Sequence, residues 1–191
     1  MVMHLLKYLA YLLLLFSFFS CGEAKQETAQ ATTAPSEEGI QYGGETVRNI
    51  QHLLTTYYSL KDALVAADSA KAKDAAVQMA AALDTLQLQA DTSLKLSSLS
   101  YPSVIKEASV NLSKLTALEE QRAVFETLSD NLFELIQTLR PSGIETYRQY
   151  CPMAFNDKGA YWLSDINKIK NPYFGKKMLT CGEVAQELRY K

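Results

Sequence analysis

Sulfur is the chemistry that this chain concentrates. Cys151-Pro152-Met153 sets a thiol and a thioether two residues apart, and Met178-Leu179-Thr180-Cys181 sets a second such pair three residues apart. Of the three methionines beyond residue 20, two flank these cysteines. Thiolate and thioether are soft, polarisable donors, and together they select Cu(I) over hard cations. Both pairs sit in turn-prone sequence, beside Pro152 and Gly182. A lobe folded back on itself would bring Cys151, Met153, Met178 and Cys181 to one ion. His52 is a further candidate ligand if its helix packs on that lobe. A second chemistry is open to the same atoms. An exported protein with two cysteines commonly joins them. A Cys151–Cys181 disulfide closing a loop of about thirty residues would stabilise the fold by roughly 3–4 kcal/mol in the chain-entropy model. The methionines would then fill gaps beneath aromatic rings.

The elements that must position these sulfurs are read from glycine and proline placement. No glycine lies between Gly44 and Gly143, and Pro102 is the only proline before residue 141 in that stretch, whereas residues 141–191 hold four glycines and three prolines. A helical block over 44–141 therefore precedes a turn-rich lobe over 142–191. Ile50, Leu53, Leu54, Tyr57, Leu60 and Leu64 recur at three and four, the spacing of one helix face. Asp68-Ser69 marks a break and a new N-cap. Ala72, Ala76, Met79, Leu83 and Leu86 make a narrow second stripe whose small side chains let another helix approach closely. Ser100-Tyr101-Pro102 reads as a cap with proline at the first helical position. Thr116-Ala117-Leu118-Glu119 matches a capping box ahead of Leu118, Phe125, Leu128, Leu132, Leu135 and Leu139. Arg140-Pro141-Ser142-Gly143 ends that helix. Four such helices with short connections form an antiparallel four-helix bundle, and their stripes read as its core. The fold class is thus mainly α, with a small irregular aromatic-rich C-terminal lobe packed on the bundle.

That lobe carries Tyr147, Tyr150, Phe155, Tyr161, Trp162, Tyr173, Phe174 and Tyr190. Ile144–Tyr150 and Ala160–Leu163 are candidate strands of a short β-hairpin, with Asn156-Asp157-Lys158-Gly159 as the turn. Glu183–Tyr190 reads as a last helical turn or two.

The start of the chain reads as an export signal over residues 1–20. Tyr8 to Phe19 is a run of twelve residues, apolar but for Ser17, after a weakly positive start. That is short of the roughly 20 residues a mature membrane anchor needs, and it fits a secretory signal core. A small residue before Cys21 and polar sequence after it favour a lipoprotein signal, with Cys21 as the lipidated first residue. Its acyl chains would anchor the protein at about 0.8 kcal/mol per buried methylene. Residues 21–43, rich in Ala, Thr, Gln and Glu, read as a flexible tether. The expected location is lipid-anchored, facing the periplasm or cell surface.

Composition closes off several classes. Acidic residues outnumber basic ones 21 to 19, so no cationic surface stands ready for a phosphate backbone, and nucleic-acid binding is not expected. His52 is the only histidine beyond the leader, which removes zinc sites that need two. No phosphate-cradling glycine loop, dinucleotide fingerprint or nucleophile elbow occurs. The chain is not expected to be an enzyme.

The run YCPMAFNDKGAYWLSDINKIKNPYFGKKMLTCGEV, from Tyr150 to Val184, resembles the signature of the domain of unknown function 3347 family, with its YCPM, GAxWLS, NPYFG and MLxCG elements in order. YSLKDALVAAD at 58–68 and QRAVFETLSDNLFELI at 121–136 extend the resemblance to roughly residues 45–188. Such domains occur as exported lipoproteins and fused to periplasmic adaptors of heavy-metal efflux systems. The resemblance therefore implies a soft metal such as copper, an efflux partner, and Cys151, Met153, Met178 and Cys181 as ligands. The CPM triplet also resembles a heavy-metal-binding motif of copper pumps, but Ala154-Phe155 follows it here in place of His-Pro. The competing expectation is a structural or interaction module with a Cys151–Cys181 disulfide, docking on a partner through Asn171, Pro172, Tyr173, Phe174 and Gly175.

Overall fold

The computed structural model describes residues 37–86 and 99–191. The leader, Cys21 and all of the tether up to residue 36 lie outside the described residues. Among the described residues, no helix is long and apolar enough to cross a membrane.

The heptad-like stripes become four helices: α1 (Gly44–Val65), α2 (Ser69–Thr85), α3 (Tyr101–Leu112) and α4 (Leu118–Leu139). Consecutive helices pack side by side, and large side chains join the first to the last. Tyr57 of α1 stacks on Phe125 of α4 at 5.2 Å between ring centroids. The expected stripe residues Ile50, Leu53, Tyr57, Leu60, Leu64, Ala72, Ala76, Met79, Phe125, Leu128, Leu132, Leu135 and Leu139 are fully buried. The alanines of α2 allow close helix approach, as their size predicts.

Of the helix starts, Asp68 caps α2 by accepting a hydrogen bond from the Lys71 amide. The other two differ from expectation. Ser100 makes no side-chain cap, its backbone is already helical, and Pro102 takes the second position of α3. The capping box at Thr116 does not form. Ala117 is the residue before α4 and has no side chain to offer, while Thr116 lends its carbonyl to the Ser69 hydroxyl at 2.7 Å. Tertiary contact between the two helix starts has replaced the local cap. Arg140, in the left-handed region at φ 43°, closes α4.

The lobe is a three-stranded antiparallel sheet in the order β2-β1-β3: β1 (Glu145–Cys151), β2 (Ala160–Ser164) and β3 (Glu183–Arg189). The hairpin of β1 and β2 matches the expected strands, with Cys151 paired to Ala160 and Gln149 to Trp162. Its loop is longer than a four-residue turn and runs from Pro152 to Gly159. Ala154–Asp157 forms one turn within it, in which Phe155, Asn156 and Asp157 are all left-handed, at φ 53°, 58° and 65°.

The expectation of a helix at Glu183–Tyr190 is corrected: this segment is β3. Its composition suits a helix, but pairing with β1 overrides that weak preference. The pairing holds from Glu145–Arg189 to Tyr150–Glu183, with a register shift between Arg148 and Gln149. Just beyond β3, Glu37 pairs in parallel with Tyr190, and Gly39 donates its amide to the Lys191 carbonyl at 2.7 Å.

Two tyrosines, Tyr57 of α1 and Tyr173 of the lobe, hydrogen-bond the outer edge of β2. The Leu163 amide donates to the Tyr57 hydroxyl at 3.0 Å, and Tyr57 donates in turn to Ser129 Oγ at 2.8 Å, whose own proton goes to the Phe125 carbonyl. The Tyr173 hydroxyl donates to the Tyr161 carbonyl. Two of the outward backbone groups of that edge, the Leu163 amide and the Tyr161 carbonyl, are thereby partnered by tyrosine hydroxyls.

Candidate functional site: a sulfur pair between two strands

Cys151 ends β1 and Cys181 stands two residues before β3, so the antiparallel pairing of those strands sets them beside each other. Their Sγ atoms are 2.8 Å apart. Both are free cysteines. Cys151 is fully buried, and Cys181 is half-buried at the rim.

Gly182 makes that approach possible. It sits at φ +137°, and a Cβ there would stand 2.6 Å from the Tyr150 carbonyl oxygen and 3.0 Å from the Trp162 ring. Any side chain would push Cys181 away from Cys151. Gly159 plays the matching part on the hairpin loop, where a Cβ would collide with the Tyr150 ring. The left-handed turn before it orients the Cys-Pro-Met segment toward β3. The Met153 backbone amide lies near enough to Cys181 Sγ to favour its thiolate. Below the pair, Trp162 is buried, packed edge-on against Tyr173 at 5.9 Å.

Asn171 fixes the other side. It is fully buried, and its side-chain amide donates to the Cys181 carbonyl at 2.8 Å while its carbonyl oxygen accepts from the amides of Tyr173 at 2.8 Å and Phe174 at 3.2 Å. Its own backbone amide donates to the Leu179 carbonyl at 2.9 Å. The NPYFG segment is therefore not the outward docking surface that the sequence suggested. Asn171, Pro172, Tyr173 and Gly175 are buried and Phe174 is half-buried. Pro172 offers its carbonyl to Arg122 of α4 at 2.9 Å, and Gly175 abuts the Val65 carbonyl at the end of α1. The segment is an internal strut that carries the bundle's position to the backbone of Cys181.

The remaining candidate ligands are placed unevenly. Met178 lies half-buried on the turn that ends in Cys181, whose amide donates to the Met178 carbonyl at 3.1 Å. Met153 is exposed, next to the pair through its backbone. His52 is exposed on α1. Among the described residues, no three His, Cys, Asp or Glu side chains gather into a metal-holding group, so His52 does not join the cysteines. The structure brings the two thiols together and leaves the thioethers on the flanking turns.

The electrostatics at Cys181 favour its protonated state. The hydrogen bond with Cys151, then burial, then the charge of a Cys151 thiolate push the Cys181 thiol up to about 11, against the opposing Met153 amide. Two neutral thiols in contact can do two things: lose two protons to a soft cation, or lose two protons and two electrons to become a disulfide. The donor set fits a soft ion. The spacing must widen for it, because metal–thiolate bonds of about 2.3 Å call for sulfurs more than roughly 3.5 Å apart. A disulfide, at about 2.05 Å, needs the sulfurs to close instead.

Two further features of the lobe escaped the sequence reading. Arg148 lies between the rings of Phe133 and Tyr161, at 3.6 and 3.9 Å. Lys61 is buried on α1 and reaches Asp165 past the end of β2 at 3.0 Å. Both tie sheet to bundle and neither touches the sulfur pair.

No curated protein and no solved structure matches this chain. A family model does, over residues 53–143, which span the helices from within α1 to just past α4. The sulfur-bearing run from Tyr150 to Val184 lies beyond that span. Over residues 53–143 the chain matches the family described as Protein of unknown function (DUF3347).

Proposed function

We propose that the protein is an exported, lipid-anchored domain that holds one soft metal ion, Cu(I) in the first instance, on Cys151 and Cys181. Its role is to buffer copper or hand it to an efflux partner at the membrane, without catalysis. The observation that carries the reading is the contact between two thiols from distant parts of the chain, 2.8 Å apart, at a rim flanked by two methionines. Thiolates retain Cu(I), and thioethers of Met153 or Met178 offer a third donor from which the ion can leave. Cys181 is the accessible partner. It sits at the surface on a turn, whereas Cys151 is locked inside the sheet.

The test is titration of the fully reduced domain with Cu(I) against a competing chelator. One equivalent binds, and Cys151→Ser abolishes it. Full affinity in that variant overturns the reading. Lipid attachment is tested separately by palmitate labelling, which Cys21→Ala should remove. A second reading is favoured by the same short separation: the pair closes as a structural disulfide and the domain serves as an interaction module. A two-dalton mass deficit that neither mild reductant nor copper alters supports that reading against the first.

A further inference from the structure

The two sulfurs are in contact but differ in access. Cys151 Sγ belongs to a residue with no exposed surface, at the end of the central strand, while Cys181 is half-buried on the turn ahead of edge strand β3. A reagent from solution can reach only one of them. Thiol–disulfide exchange requires an attacking sulfur to meet a disulfide sulfur directly, so access decides which cysteine reacts first. The same 2.8 Å separation then places the buried sulfur within a short movement of the reacted one. The backbone around Cys181 is held by the Asn171 amide on its carbonyl and by Met178 on its own amide, so the sulfur does not need a refolded loop to be presented.

We propose that this pair is an asymmetric thiol–disulfide exchange centre for low-molecular-weight disulfides, in which Cys181 is the entry sulfur and Cys151 the resolving sulfur. The proposal rests on the same two atoms as the metal reading but needs no metal. In the first step Cys181, as thiolate, attacks one sulfur of the disulfide R–S–S–R. The Cys181–S–S–R bond forms and R–S⁻ leaves to take up a proton. In the second, Cys151, as thiolate, attacks Cys181 Sγ, forms the Cys151–Cys181 bond and expels the second R–S⁻. Overall, two protein thiols and one external disulfide give one protein disulfide and two external thiols. Two electrons pass from the protein to the reagent.

The experiment uses oxidised glutathione on the reduced, lipid-free protein in the presence of a strong chelator, read by intact and peptide mass spectrometry. Cys151→Ser should accumulate one glutathione on Cys181. Cys181→Ser should label at least tenfold more slowly. The wild type should lose two hydrogens and retain no glutathione. In denaturant both variants should label at the same rate, which shows that the fold and not the thiol itself protects Cys151. Equal labelling of the two folded variants overturns the assignment of entry and resolving sulfurs. A wild-type protein that keeps its glutathione overturns the resolving step. Neither result bears on the copper titration, which is carried out on reduced protein without a disulfide present.

Discussion

Cys181 is the residue on which the proposed chemistry turns, and its protonation would set the pH range in which it acts. With the thiol raised to about 11 chiefly by Cys151, almost no thiolate is present at neutral pH. Alkylation of reduced protein by iodoacetamide should therefore rise about tenfold per pH unit from pH 7 to 10. Cys151→Ala, which removes the leading cause, should speed the reaction at pH 8. A rate that levels off below pH 9 in the wild type contradicts this. Gly182 tests the geometry independently. Gly182→Ala puts a methyl group against the Tyr150 carbonyl at a left-handed position, at a cost of about 1–3 kcal/mol in thermal or urea unfolding. It should also slow closure of the Cys151–Cys181 bond. The cysteines were legible in the sequence because sulfur is rare and its spacing is plain. The part played by Gly182 was not, because a close approach depends on which strand lies opposite, and one chain segment does not reveal its neighbour.

At the scale of elements, the lobe is held on the bundle by a few polar ties set into apolar packing. One is Lys61, buried on α1 and bonded to Asp165 at 3.0 Å. Burial works to raise the Asp165 carboxyl, but the Lys61 hydrogen bond and charge outweigh it and hold the group below the usual carboxylate range. A depressed folded-state value contributes stability that is present above the unfolded value, about 3.9, and is lost as pH falls through the lower folded one. Asp165→Asn should cost about 0.5–1 kcal/mol at pH 7, because Asp165 is half exposed and Asp62 and Ser164 still hold the buried ammonium. The difference from wild type should shrink as pH drops below about 4, as followed by urea unfolding at several pH values. A variant equal to wild type at pH 7 contradicts the tie. The helices were legible because their buried residues repeat every three to four positions along uninterrupted sequence. β3 was not. Glu183–Arg189 contains helix-forming residues and only Val184 among the β-branched ones, and its state is decided by the hydrogen bonds β1 offers. The NPYFG strut was misread for a related reason. An aromatic, proline-containing run suggests a surface loop, yet Asn171 satisfies three backbone groups that would otherwise be buried without partners.

For the whole molecule, bundle and lobe are joined through Tyr57, Arg122 and Lys61 and by the contact of the Tyr173 ring with Phe125. Closing Cys151 to Cys181 should raise stability by about 3–4 kcal/mol, which for a domain of this size is a Tm increase of roughly 10 °C. Calorimetry of the same preparation with and without reductant checks this, and an unchanged Tm contradicts it. The overall order, helices first and a turn-rich aromatic lobe after, follows from where glycine and proline fall. The meeting of the sulfurs does not, because it depends on long-range strand pairing. The most direct test of the central claim is copper K-edge X-ray absorption on the reduced, Cu(I)-loaded domain. The account predicts a first shell of sulfur alone, at about 2.3 Å, that disappears in Cys151→Ser. A shell of nitrogen or oxygen, or one that depends on His52 instead, would contradict it.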